Sequence, residues 1–156
     1  MSFDKIRDPR KIHHQIGHME CDYIYTAGIA GERFYIALRD EEKLLATRCD
    51  KCETTFMPPR MYCDKCLAAL DNYAEVPSTG IIESYTITYL DRDGEPLPEP
   101  MILAFVKIDK TDGGLIHKIG ELKPESLKIG TKVAAVFEAK SKRQGRLTDI
   151  KYFKPV

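Results

Sequence analysis

The sequence predicts a mainly β protein with a helical N-terminal arm, a small metal-binding ribbon and a C-terminal barrel of five strands. Two Cys-x-x-Cys pairs separated by ten residues indicate the ribbon. Before these pairs, apolar residues recur among charged ones at a roughly helical spacing, and after them the apolar residues alternate as they do in strands. A chain of 156 residues suffices for one ordinary domain and a small appendage. We expect the arm at residues 1–46, the ribbon at 47–75 and the barrel at 76–156.

The arm is expected to end in an amphipathic helix over residues 32–45, although the period of its apolar residues is imperfect. A run of small residues at 26–31 precedes it. That run suits either a simple helix start or the close approach of a partner's backbone. Three histidines, His13, His14 and His18, lie in a polar stretch, where solvated side chains are expected rather than ligands.

The four paired cysteines have the spacing of a tetrahedral metal site. Each pair bends the backbone so that two thiolates point the same way, and Pro58 and Pro59 give the intervening segment an extended bend. Zn²⁺ accepts four sulfur ligands at roughly 2.3 Å, and a site filled by four cysteines has no place for a catalytic water. The predicted ligands of a structural zinc are Cys49, Cys52, Cys63 and Cys66.

Three alternatives fit these cysteines less well. Iron also accepts four sulfurs, but Glu53 and Leu67 follow the pairs where electron-transfer sites usually place glycine. A redox-active pair explains one Cys-x-x-Cys and not two. Disulfides suit a small secreted domain, whereas residues 1–5 lack the apolar core of a signal peptide. Cys21 stands apart, and we expect it to be a small buried or half-buried residue.

The barrel is predicted from strand-like segments rich in β-branched and aromatic residues. A turn at 91–94 and a proline-rich loop at 95–100 separate the first two strands, and a short helical turn at 123–127 precedes the fourth. Five strands with a helical element before the fourth are typical of an OB-type barrel. The expected strands are residues 80–89, 102–108, 115–119, 132–138 and 147–153.

Charge and composition argue against two functional classes. Lysine plus arginine and aspartate plus glutamate both number 24, so the formal net charge is zero, and neither half of the chain is strongly basic. A dedicated nucleic-acid binder would carry a clear basic excess. No apolar stretch reaches the length of a membrane span. A soluble cytoplasmic protein is expected.

The sequence does not support an enzyme. It has no Gly-x-Ser-x-Gly elbow, no phosphate-binding Gly-rich loop and no dinucleotide fingerprint. No acid and base pair stands out among the many carboxylates. His117 falls in a predicted strand, where a surface or barrel-rim position is expected.

A basic loop is the remaining candidate binding site. Its four cations are Lys140, Lys142, Arg143 and Arg146. They could bind the phosphates of nucleic acid or of coenzyme A, and a solvated hairpin tip is an equally good interpretation. An OB-type barrel could also bind single-stranded nucleic acid through stacking aromatics, and the candidates are Tyr85, Tyr89, Tyr152 and Phe153.

Motifs along most of the chain carry a family resemblance. Before the barrel they are Thr26-Ala27-Gly28, Gly31-Glu32-Arg33-Phe34 and the two cysteine pairs with Pro58-Pro59-Arg60 between them. Within the barrel they are Gly114-Leu115-Ile116-His117, Ile129-Gly130, Val136-Phe137 and the ending from Asp149 to Pro155. From about Tyr25 onward the chain resembles the zinc-ribbon/OB-fold family once catalogued as domain of unknown function 35. It is most similar to the archaeal subgroup that accompanies acetoacetyl-CoA thiolase and 3-hydroxy-3-methylglutaryl-CoA synthase.

The resemblance implies N-terminal helices, a rubredoxin-like zinc ribbon whose ligands are the four cysteines, and a C-terminal OB fold. It also implies a non-catalytic partner that bridges the thiolase and the synthase and helps to form a shared site for coenzyme A. No short motif of the family identifies the coenzyme A contacts. The basic-loop residues Lys140, Lys142, Arg143 and Arg146 are therefore nominated on charge alone.

Overall fold

The computed structural model describes Asp8, residues 24–91 and residues 93–156, and within these it shows one α-helix followed by eight strands. Nearly half of the predicted arm lies outside the described residues, as do His13, His14, His18, Cys21 and any helix before residue 24. No helix in the described parts is long and apolar enough to cross a bilayer.

The elements follow the predicted order of helix, ribbon and barrel. The helix and the ribbon strands are α1 (Gly28–Glu41), β1 (Leu44–Cys49), β2 (Thr54–Phe56) and β3 (Tyr73–Val76). The barrel strands are β4 (Thr79–Leu90), β5 (Pro96–Ile108), β6 (Gly114–Ile119), β7 (Lys132–Phe137) and β8 (Ile150–Pro155). Short 3-10 turns occupy Pro124–Ser126, Lys140–Lys142 and Leu147–Asp149.

Helix α1 begins inside the run of small residues, where the hydroxyl oxygen of Thr26 accepts the N–H of Gly28 at 3.1 Å. The prediction that the helix extends to residue 45 was wrong, because the helix ends at Glu41. Glu42 adopts a left-handed conformation with φ of 58°, which ends the helix and turns the chain into β1. The helix buries Phe34 and Leu38 against the rest of the protein.

The ribbon and the barrel are separate sheets that share one core. The ribbon sheet has the antiparallel order β2-β1-β3. The barrel closes in the order β4-β5-β6-β8-β7, which confirms the predicted five-stranded OB barrel. A continuous apolar core runs from Leu38 of the helix through Leu44 of the ribbon to Val106 and Phe153 in the barrel. Each of these four side chains is fully buried.

Two boundaries in the barrel differ from the sequence prediction by three residues or more. The proline-rich segment at 95–100 was predicted as a loop, yet β5 begins at Pro96. Strand β6 pairs with β5 only from Ile102 to Lys107, so the prolines before Ile102 remove no hydrogen bond to β6.

The second difference concerns the last strand, which begins at Ile150 and not at Leu147. The preceding residues, Leu147–Asp149, form a 3-10 turn. The buried carboxylate of Asp149 accepts backbone N–H groups from Gln144 and Gly145, and these bonds hold the segment in a turn.

The β5–β6 hairpin joins the barrel to the ribbon through backbone contacts. The N–H of Asp112 donates to the carbonyl of Thr55 at 2.8 Å, and the N–H of Thr55 donates to the Asp112 carboxylate at 2.8 Å. Gly113 lies so close to the ribbon that an added Cβ would overlap the carbonyl oxygen of Met57. The two modules are therefore held together along a close backbone contact.

Replacing Gly113 with alanine is expected to lower the free energy of unfolding by about 2–3 kcal/mol, since the ribbon backbone must move to admit the methyl group. Gly94→Ala is the matched control, because a methyl group there meets nothing within 4 Å and the cost of about 1 kcal/mol comes only from its φ of 86°. Chemical denaturation measures both variants. If both variants lost the same free energy of unfolding, the contact between hairpin and ribbon would be loose.

Candidate functional site

The four paired cysteines converge at one point of the ribbon. Cys49 ends β1, Cys52 lies in the following turn, and Cys63 and Cys66 belong to the second knuckle. Their sulfur atoms all lie within 4.8 Å of one another, and the Sγ atoms of Cys49 and Cys66 are 3.6 Å apart. Four sulfurs arranged tetrahedrally at zinc–sulfur distances of 2.3 Å are about 3.8 Å apart. The donor set and its spacing fit a zinc ion.

Each knuckle is closed by a residue with positive φ immediately after its second cysteine. These residues are Glu53 with φ of 53° and Leu67 with φ of 57°. Glycine adopts this conformation without strain, whereas other residues pay about 1–2 kcal/mol. In the second knuckle the N–H of Leu67 donates to the carbonyl of Cys63 at 3.0 Å. Glu53 and Leu67 thus form the turns of the two knuckles, although neither is a glycine.

The thiols of Cys52 and Cys63 have different pKa values because their buried surroundings and hydrogen-bond partners differ. Burial raises the pKa of Cys63, but the backbone N–H groups of Cys66 and Lys65, together with the thiols of Cys66 and Cys49, more than offset it and bring the pKa to about 7. Contact with the Cys66 thiol and burial raise the pKa of Cys52 to about 12. Four adjacent thiolates repel one another, so a divalent cation is needed to stabilise them together.

A zinc ion held by these four sulfurs has no open coordination position. Closed four-cysteine sites are structural, whereas catalytic zinc sites keep one position for water or substrate. Cys49 and Cys63 are 2% and 0% exposed, so the inner half of the site is shielded from solvent. Such a zinc ion would cross-link the end of β1 and its following turn to the second knuckle, which lies between β2 and β3.

The basic loop divides into three exposed cations and one buried one. Lys140, Lys142 and Arg146 are exposed, so their availability to an anionic ligand stays a prediction. The Arg143 side chain is only 3% exposed and pairs with Glu42 at 2.8 Å. Its guanidinium also donates to the carbonyl of Arg39 at 2.8 Å, at the end of α1. These bonds connect the loop to the helix, and the contact between Arg143 and coenzyme A that its charge suggested stays a prediction.

Asp149 is an important residue that the sequence interpretation did not single out. It is 2% exposed, and its carboxylate accepts the N–H groups of Gln144, Gly145 and Arg146 at 2.9, 2.7 and 3.3 Å. The available signal was its position as the one acid within the basic residues 139–154. A lone carboxylate in a cationic loop often organises the backbone around it.

Two of the four candidate stacking aromatics make contacts within the protein. Phe153 is fully buried, and the Tyr152 hydroxyl donates to Glu121 at 2.6 Å, a bond that raises the pKa of the tyrosine. Tyr85 and Tyr89 are 41% and 61% exposed. His117 is half-buried with its ring edge-on to Phe153, and its Nε2 lies 3.3 Å from the carbonyl of Leu147.

Comparison with known proteins agrees with this architecture. The chain matches the ChsH2 rubredoxin-like zinc ribbon domain over residues 37–71 and the ChsH2 C-terminal OB-fold domain over residues 73–138. It is 25% identical to a DUF35 domain-containing scaffold protein of Methanocaldococcus jannaschii, over 76% of this chain and 86% of that protein.

Two solved structures are similar. One is a DUF35-family protein of unknown function from Sulfolobus solfataricus, with 28% identity, a TM-score of 0.62 and coverage of 83% of this chain and 85% of that chain. The other is a chain of the Ltp2–ChsH2(DUF35) aldolase, which shares the fold at 22% identity and a TM-score of 0.56, over 80% and 93% of the two chains. Since the two domain models together span well over half of the sequence, this chain belongs to the DUF35 family of zinc-ribbon/OB-fold proteins.

Proposed function

We propose that this protein is a non-catalytic scaffold that bridges thiolase-type acyl-CoA enzymes. The expected partners are acetoacetyl-CoA thiolase and 3-hydroxy-3-methylglutaryl-CoA synthase of the mevalonate pathway, between which it would help to pass acetoacetyl-CoA. The observation that carries the proposal is the match to a relative named as a scaffold protein over 86% of that relative's length. An alignment of 123 residues is too long for the ribbon or the barrel alone, so it includes both modules.

The architecture suits such a role because it is a rigid joint. Zinc supplies a cross-link within the ribbon, and the backbone contact at Gly113 fixes the ribbon to the barrel. A rigid connector that holds two enzymes at a fixed distance raises the effective concentration of an intermediate at the second enzyme. The solved complex named Ltp2–ChsH2(DUF35) aldolase pairs a related domain with an enzyme, which supports this interpretation.

Coenzyme A would meet the basic loop through its phosphates. Lys140, Lys142 and Arg146 are exposed and could form charge-assisted bonds to a diphosphate or a ribose phosphate. Arg143 would contribute indirectly, by holding the loop against α1. We therefore propose that the loop is a cationic contact for these phosphates and that it completes a coenzyme A site only together with a partner enzyme.

Reconstitution tests the proposal. The purified protein, the thiolase and the synthase of the same organism are mixed and resolved by size-exclusion chromatography with light scattering. A complex containing all three proteins is expected, together with reduced escape of acetoacetyl-CoA into a trapping enzyme. Absence of binding to both enzymes would reject the scaffold.

The alternative function is single-stranded nucleic-acid binding, favoured by the OB barrel and the exposed Tyr85 and Tyr89. It requires an affinity for a short oligonucleotide that falls steeply with salt. Fluorescence anisotropy at low and high salt measures this affinity. The scaffold proposal expects no such binding, in keeping with the zero net charge.

A further inference from the structure

Strands β4 and β5 extend beyond the barrel as a two-stranded arm. Strand β7 pairs with β4 only up to Ile81, and the last backbone hydrogen bonds on that edge are those of Ile82. On the far edge, β6 pairs with β5 only from Ile102 onward. Within the described parts of the chain, residues 83–90 of β4 therefore pair with β5 alone, and their second edge has no neighbouring strand. Such an edge presents backbone N–H and C=O groups that a further strand can bind.

The two strands of this arm differ in how they resist pairing. The β5 strand contains Pro96, Pro98 and Pro100, which have no N–H to donate. Residues 84–90 of β4 include no proline, no glycine and no charged side chain. Proline and charge are common means by which edge strands avoid pairing. The β4 edge is therefore open to another strand, whereas the β5 edge is protected.

The sequence along the open edge reads the same in both directions. It is Tyr85-Thr86-Ile87-Thr88-Tyr89, a palindrome centred on the isoleucine. If two copies pair antiparallel about that centre, each tyrosine lies opposite a tyrosine, each threonine opposite a threonine and the isoleucine opposite its own copy. Aromatic pairs and threonine pairs directly across two antiparallel strands are favourable. This self-complementarity selects a second copy of the chain as the occupant of the edge.

The side chains along the palindrome are available for these pairs. Tyr85 and Tyr89 are 41% and 61% exposed. Ile87 packs partly against the barrel core and lies opposite Ile102 of β5, which holds the centre of the palindrome in place. A strand that is already extended loses little conformational entropy when it pairs with another.

Acidic residues flank the palindrome at both ends. In the antiparallel register, Glu83 of one copy lies opposite Asp91 of the other, where like charges repel. Within its own copy, Glu83 pairs with Lys107 at 3.6 Å, and the Asp91 carboxylate accepts two backbone N–H groups of the β4–β5 turn at 2.8 and 2.9 Å. These contacts offset the repulsion, and salt screens the remainder because both carboxylates are exposed. Pairing is therefore expected over residues 85–89 and not beyond them.

We infer that this protein forms a twofold dimer in which the β4 edges of two copies pair antiparallel over residues 85–89. The inference does not depend on the proposed scaffold function. Pairing would join the two arms into one sheet of four strands in the order β5-β4-β4-β5. A sheet of two strands is only marginally stable in water, whereas three or more strands with an apolar face are stable. The dimer would present every other surface of the chain twice, related by the twofold axis.

Charged substitutions at the two tyrosines test the pairing and its register by sedimentation equilibrium over a series of protein concentrations. Tyr85→Glu and Tyr89→Lys should each weaken the dimer about tenfold or more, because twofold symmetry applies each change twice. The double variant Tyr85→Glu/Tyr89→Lys should recover most of the affinity, since the introduced glutamate of each copy faces the introduced lysine of the other. Within one copy these positions are about 14 Å apart along the strand and do not pair.

Ile116→Glu is the matched control, because it places a charge on an exposed barrel side chain, at 69% exposure, away from the arm. It should change the dimer affinity by less than twofold. Zinc content and the far-ultraviolet circular dichroism spectrum should equal those of the wild type in every variant. A double variant that dimerises no better than the single variants would overturn the register.

Hydrogen exchange supplies a second measurement that needs no substitution. Backbone amides of residues 85–89 that face the open edge should exchange several-fold more slowly in the dimer than in dilute, monomeric protein. A wild-type protein that stays monomeric at its highest soluble concentration would refute the inference, as would a dimer without this protection. Protection that appears only after a thiolase or an oligonucleotide is added would assign the edge to that partner instead. The reconstitution with the two enzymes tests the scaffold proposal separately.

Discussion

Replacing Cys63 with serine is expected to abolish stoichiometric zinc binding and to lower the free energy of unfolding by at least about 4 kcal/mol. Serine is a poor zinc ligand, and Cys63 is a fully buried member of the four-sulfur cluster. Loss of a structural metal is among the few single changes that exceed this size, because metal binding and folding of a small ribbon are coupled. Metal analysis gives the zinc content, and chemical denaturation gives the stability.

The same experiment has a matched control in the fifth cysteine. Cys21→Ser makes the identical chemical change outside the two Cys-x-x-Cys pairs, and we expect it to keep one zinc per chain. Metal analysis also separates zinc from iron at the site. Thiolase binding should fall in Cys63→Ser as a consequence of the lost ribbon structure. A Cys63→Ser protein that lacks zinc yet unfolds and docks like the wild type would refute the structural role of the metal.

Replacing Arg143 with alanine is expected to lower the free energy of unfolding by about 2–3 kcal/mol. The buried guanidinium donates to the carbonyl oxygens of Leu38 and Arg39 at the C-terminal end of α1 and pairs with Glu42. A cation at this end of a helix also interacts favourably with the helix dipole. Removing the side chain leaves carbonyl groups without their charged donor, and bonds of that kind contribute about 1.5–3 kcal/mol.

Lys142→Ala is the control, since it removes an exposed cation from the same loop and should change stability by less than about 0.5 kcal/mol. Coenzyme A affinity, measured in the reconstituted complex, separates the two roles. We expect Lys142→Ala to weaken that affinity without changing stability. If Arg143→Ala instead kept full stability and lost coenzyme A, Arg143 would be a direct ligand and not a tie between the loop and the helix.

Much of the fold could be predicted because its signals are local. The two Cys-x-x-Cys pairs identify the ribbon by their spacing, and alternation with turn residues at Asp112 and Gly113 identifies the barrel hairpin. The errors fell where long-range contacts decide the local structure. Glu42 ends α1 by adopting a left-handed conformation against helical propensity, and the proline-rich residues from Pro96 extend β5 beyond Ile102, opposite which β6 ends.

The basic loop shows the same limit for the contacts of Arg143, whose role toward coenzyme A stays a prediction. Charge alone groups Arg143 with Lys140, Lys142 and Arg146, and no feature of the sequence distinguishes Arg143 from the other three residues. Folding brings Arg143 against the end of α1, about a hundred positions earlier in the chain, where the carbonyl of Arg39 accepts its N–H. A contact between residues so far apart in the chain produces no local sequence pattern from which it could be predicted.

The sequence by itself determined the four cysteines as a closed metal site, because thiolate chemistry and short spacing require nothing beyond the ribbon's own turns. It also determined the order of ribbon and barrel. Only the tertiary structure decided what surrounds the metal centre. The ribbon is fixed to the barrel at Gly113, and the helix places Ile29 and Arg33 beside Met61. These contacts join distant segments, so their geometry comes from packing of the shared core and not from any local sequence pattern.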